Sequence, residues 1–222
     1  LARGQPIPFL GDHICIPPPG GNDAAREGRA MLRSSIAFIR LVMETLLPES
    51  WLPSWGGVPG TFWLSKLCRD PDRAVRECAH RIAALLVHPG SESMCEMVAK
   101  SWPDCMRHML HTAVNSSECF AVRSSAVSFV GRAYAADVLM APDFRGFKAM
   151  RFVEQYSFWA VLTEMASKAW VPSCVLASCL EFLTQVALAD AELLSEKIFS
   201  NGLWEPMLRN IVDCFSHPAL QD

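Results

Sequence analysis

The stretch from Asp70 to Leu86, DPDRAVRECAHRIAALL, reads as one amphipathic helix, and its pattern returns along the chain. Asp72 is placed to cap that helix, because its carboxylate can accept from backbone N–H groups of the first turn. Val75, Ala79, Ile82 and Leu86 fall at three- and four-residue steps, which puts them on one face. The pair Val75-Arg76 followed by Ala79 is matched by Val122-Arg123 followed by Ala126. Leu32-Arg33 with Ile36 fits the same frame upstream, Val175-Leu176 with Cys179 fits it downstream, and Leu220-Gln221 opens one more copy. The spacings are 43, 47, 53 and 45 residues. A recurring helical unit of this length cannot bury its apolar face alone, so its neighbours must cover it.

The order of elements inside each period carries a resemblance. Gly202 precedes the apolar stretch from Leu203 to Val212, which is followed by the turn His217-Pro218 and then by Ala219-Leu220-Gln221. Thr61 to Leu67 is likewise followed by Asp70-Pro71-Asp72 and by Ala74-Val75-Arg76. This sequence of short apolar helix, polar turn, and third helix opening on a small residue with an apolar–Arg pair resembles the armadillo repeat and its HEAT relatives. The resemblance implies an all-α fold, an armadillo/HEAT-like right-handed superhelical solenoid of about four repeats. It would occupy residues 23–222, after a Pro/Gly-rich linker at 1–22. The function it implies is a non-catalytic protein–protein interaction or scaffold module, with no cofactor, as in large scaffolds of the centrosome or cilium base. The Asn that holds bound peptides in well-known members has no counterpart in these frames.

Composition narrows the rest. Apolar residues make up 51% of 222, which excludes disorder for most of the length. Charge or Pro interrupts every apolar run before the roughly 18 residues that a membrane span needs. No continuous apolar leader is present at the start. The chain begins without Met and stops inside a repeat, so it is expected to be a fragment of a longer protein. The net charge of −3 gives no global basic field, which disfavours nucleic acid as a partner. Nine cysteines, mostly at helix-face positions, point to buried free thiols and a reducing, cytoplasmic compartment.

Chemistry-bearing patterns are few. Cys105, His108 and His111 have ligand types at short spacing, but on one helix the first and last lie about 120° apart, so the three cannot converge. No nucleophile elbow, phosphate loop or concentrated carboxylate pair occurs, and the expectation is that the chain is not an enzyme. Two sets of residues remain as partner-binding candidates. Arg33, Arg76 and Arg123 share one frame position, and stacked repeats would align them into a ladder suited to carboxylates or phosphates. The competing expectation is that each Arg pairs locally with an acidic neighbour. The second set lies in the stretched interval, where residues 137–150 form an insertion holding Phe144, Arg145, Phe147 and Lys148. Long insertions often carry contacts, although two Phe could equally plug a gap between repeats. The partners expected are other proteins, through acidic or extended segments. The alternative is a regulatory helical domain that binds acidic or phosphorylated segments, or nucleic acid, through the Arg ladder.

Overall fold

Helix-forming periodicity dominates the chain, and the computed structural model is built from α-helices alone among the residues it describes, 23–46, 62–140, 146–167 and 173–216. They are α1 (Asp23–Thr45), α2 (Phe62–Leu67), α3 (Arg73–Leu86), α4 (Glu92–Ser101), α5 (Cys105–Val114), α6 (Phe120–Leu139), α7 (Ala149–Gln155), α8 (Phe158–Ser167), α9 (Ser173–Ala189), α10 (Ala191–Ser200) and α11 (Trp204–Ser216). No described helix is long and apolar enough to cross a membrane.

Local chemistry sets several of the boundaries. Asp72 caps α3, its carboxylate accepting from Ala74 N–H at 3.0 Å. Asp190 caps α10 by accepting from Leu193 N–H at 2.9 Å. Gly202 closes α10 at φ +62°, with Gly202 N–H bonded to the Phe199 carbonyl and Leu203 N–H to the Ile198 carbonyl. That is the doubly bonded left-handed C-terminus that glycine favours.

The sequence predicts a helix capped by Ser116 or Ser117 and running to about Tyr134, and a later helix over 156–168. Ser116 and Ser117 do not cap α6; Asn115 draws the Ser117 backbone and hydroxyl into its own turn, at 3.1 and 2.7 Å, and the helix starts at Phe120. It also runs on to Leu139 rather than stopping near Tyr134. Downstream, the helix predicted over 156–168 is α8, and the sequence did not show the short α7 before it, from which Ser157, at φ +49°, separates it.

Packing follows the repeat frame. α3 lies against α1 and α6, and α6 in turn lies against α9, so the helices that open on the recurring frame touch in chain order. The shorter helices attach to this row: α2 to α3, α4 and α5 to α6, α8 and α11 to α9. α6 is the centre. Every residue from Val122 to Gly131 is buried, as a helix covered all round must be. Small residues let α9 approach it closely. A Cβ built on Gly131 would fall 2.9 Å from the Phe182 Cα. Ser124 and Ser128 share the Ser178 hydroxyl at 3.0 and 3.1 Å, which satisfies polar groups that burial would otherwise leave costly.

Candidate functional site

The three frame arginines do different things. Arg33 stays exposed and pairs with Asp72, the cap of α3 in the following unit. Arg76 makes a bidentate pair with Glu118, both bonds 3.0 Å, again in the following unit. It also donates to the Asp70 and Pro71 carbonyls at 2.8 and 2.9 Å. Burial works to raise the Glu118 carboxyl, but the Arg76 contact and the Cys119 N–H outweigh it and hold the group below its ordinary range. Arg123 breaks the series. It is 2% exposed, donates from Nε to the Ala113 carbonyl at 2.8 Å, and stands over the Phe120 ring. The residue is therefore removed from the partner-binding ladder, its guanidinium turned inward. Arg33 and Arg76 each pair with an acidic residue and do not present a row of free cations.

The insertion divides in the same way. Phe144 and Arg145 lie outside the described residues. Phe147 is 3% exposed and packs edge-on to Phe129 at 5.9 Å, which makes it a core plug and not a contact anchor. Asp137, in the last turn of α6, accepts from Phe147 N–H at 3.0 Å and Ala149 N–H at 2.7 Å. It thereby fixes the end of the insertion and the start of α7. Burial raises the Asp137 carboxyl above its ordinary value against the pull of those bonds. Lys148, in the left-handed region at φ 53°, remains exposed.

The feature that the row of α1, α3, α6 and α9 creates is a groove. One section, about 270 Å³, is lined by Ala121, Ser124 and Ser125 of α6 and by Cys174, Ala177 and Ser178 of α9. Charged residues close its edge. Arg40 reaches Glu44 and Glu77, Arg81 bonds Glu44 at 2.9 Å and Glu181 at 3.4 Å, and Arg132 bonds Glu181 at 2.7 Å. Burial works to raise Glu181, but Arg132, Ser128 and Arg81 outweigh it and keep the carboxyl ionised below its ordinary range. A second section, about 490 Å³, continues past Glu44, Arg81 and Arg132 to Leu46, Pro89 and Gln185. Sequence reasoning missed this groove because its walls come from four helices spread over some 150 positions. The spacing of Arg40, Arg81 and Glu181 carries no local signal.

A second cluster was equally invisible. Cys68 follows α2, His80 sits inside α3 and His108 inside α5, and their donor atoms all lie within 4.8 Å of one another. His108 does not converge with Cys105 and His111, in keeping with the helical angle between them. It turns instead toward residues 28 and 40 positions upstream. Cys68, Cys78, Cys95, Cys105, Cys119, Cys174 and Cys179 are free thiols. Burial pushes the Cys95, Cys105 and Cys179 thiols up to about 12, so none of these is primed as a nucleophile. In comparisons with known proteins, no family model, no curated protein and no solved structure matches the chain.

Proposed function

We propose that the chain is a non-catalytic interaction module, an armadillo/HEAT-like right-handed superhelical solenoid of about four repeats, that holds an extended protein segment along the groove of α1, α3, α6 and α9. The observation that carries this reading is the groove itself, which runs across the helices that open each repeat frame. The chain-order packing of those helices and the unit-to-unit rungs Arg33–Asp72 and Arg76–Glu118 support the solenoid. Small side chains on the floor let a backbone approach closely. Arg40, Arg81 and Arg132 are matched by Glu44, Glu77 and Glu181, so the groove carries no basic surplus for nucleic acid or phosphorylated segments. The alternative reading through an Arg ladder loses its third member, Arg123, to the interior.

Ala177 is exposed on the groove wall, so Ala177→Trp fills the groove without entering the core. Affinity capture from cell extract should then fall by about tenfold or more with the melting temperature unchanged. Equal capture by the wild type and the filled variant would exclude the groove as the binding surface.

A further inference from the structure

Cys68, His80 and His108 meet between α2, α3 and α5, and none of the helix-to-helix contacts described above requires them to. The two histidines confront one another. Their Nε2 atoms are 3.2 Å apart, with ring centroids 5.3 Å apart and planes 30° apart, so the rings meet nearly end to end. His80 Nδ1 lies 2.8 Å from the Arg76 carbonyl. A carbonyl only accepts, so the proton of neutral His80 sits on Nδ1 and its Nε2 is a bare lone pair. The His108 Nε2 lies 3.2 Å from that lone pair, beside the Cys68 thiol, which is itself 1% exposed.

Three metal-ligating donors thus lie within 4.8 Å of one another, and we propose that Cys68, His80 and His108 bind one soft d10 metal ion, zinc(II) or copper(I). His80 is anchored through its other nitrogen to a backbone carbonyl, the second-shell contact that metal-binding imidazoles use. Two nitrogens bound tetrahedrally to one zinc stand about 3.3 Å apart and a thiolate sulfur about 3.6 Å from each. The nitrogens already have that separation. One thiolate with two imidazoles and no carboxylate is a donor set for zinc(II) or copper(I) and against calcium or magnesium. Three protein ligands leave one position of a tetrahedral site open.

Binding balances simply. The Cys68 thiol gives up its proton as its sulfur joins the ion, and each neutral imidazole binds through the nitrogen that carries no proton, so one proton leaves per ion bound. The bound ion would tie α2 and α3 to α5, and the proposal does not rest on the groove reading.

The test uses the whole chain, stripped of metal by chelator under a reductant. Cobalt(II), as a spectroscopic probe for zinc, should titrate to one equivalent with a thiolate-to-cobalt charge-transfer band. Zinc(II) or copper(I), measured by competition with chromophoric chelators, should bind tighter than about 1 μM and release about one proton. Cys68→Ser should lose the charge-transfer band. His108→Asn, at a half-buried position that tolerates the change, should weaken binding by about tenfold or more. Cys95→Ser and Cys105→Ser, at other buried thiols, should bind as the wild type does. A wild-type chain that takes up neither zinc(II) nor copper(I) at that affinity would overturn the site. So would His108→Asn binding with unchanged affinity, an outcome that stays readable even if Cys68→Ser does not fold.

Discussion

His80 shows how much a single side chain can depend on its surroundings. Its position in α3 reads as one polar residue of an amphipathic helix, yet it is 1% exposed and paired to His108. Burial lowers its pKa from the ordinary 6.5 to about 4, with the Arg76 carbonyl and Glu118 pulling the other way. In the metal-free chain the unfolded state therefore takes up a proton first as pH falls. Stability contributed by this group should be intact above about pH 6.5, decline between 6.5 and 4, and change no further below that, a loss of about 3 kcal/mol. Urea unfolding across that window, with a chelator present, measures it; a His80→Gln chain should show a shallower slope. At Arg123 the same logic applies to a charge. Arg123→Met removes the donor to the Ala113 carbonyl from a fully enclosed place, and a cost of about 1–3 kcal/mol is expected in the same unfolding assay.

Between elements, the α6–α9 contact decides the sign of a substitution that helix propensity alone would misjudge. Alanine is favoured over glycine inside a helix by about 1 kcal/mol, so Gly131→Ala ought to stabilise. The added Cβ would instead meet the Phe182 backbone at 2.9 Å and its ring at 3.0 Å. The helices must part, and net destabilisation of about 1–3 kcal/mol is expected. A melting temperature raised by Gly131→Ala would mean that α9 sits farther from α6 than described. The insertion offers a companion experiment. Phe147→Ala should cost about 3–5 kcal/mol, because the ring fills space beside Phe129. Lys148→Glu, on the exposed side, should leave the unfolding midpoint nearly where it was.

At the scale of the molecule, the two Arg rungs and the apolar surface near α11 matter most. Arg76 and Glu118 are both largely shielded from water and join successive units, so a double-mutant cycle to alanine should report coupling of about 0.5–3 kcal/mol. Coupling near zero would mark the pair as an ordinary surface contact. On α11, Trp204, Leu208 and Val212 are exposed beside an apolar hollow of about 270 Å³ shared with α9 and α10. Trp204→Glu with Leu208→Glu should lower concentration-dependent association, read by sedimentation velocity, without altering the helical circular dichroism.

The sequence by itself determined the class and most of the elements. Periodicity is a local property, so the three- and four-residue steps through Val75, Ala79 and Ile82, the Asp72 cap and the Gly202 terminus each specify backbone shape within a few residues. It also placed Arg33, Arg76 and Arg123 in one frame. What they do there was decided by tertiary structure: Asp72 and Glu118 stand opposite Arg33 and Arg76, whereas Arg123 turns into the core onto the Ala113 carbonyl. Short α7 and the late start of α6 escaped for a similar reason, since Asp137 and Asn115 act through turns that helix periodicity does not register. The groove and the Cys68–His80–His108 cluster were the least legible of all. Each exists only where several helices come together, and residues that meet in space at 3 to 5 Å leave no pattern along the chain.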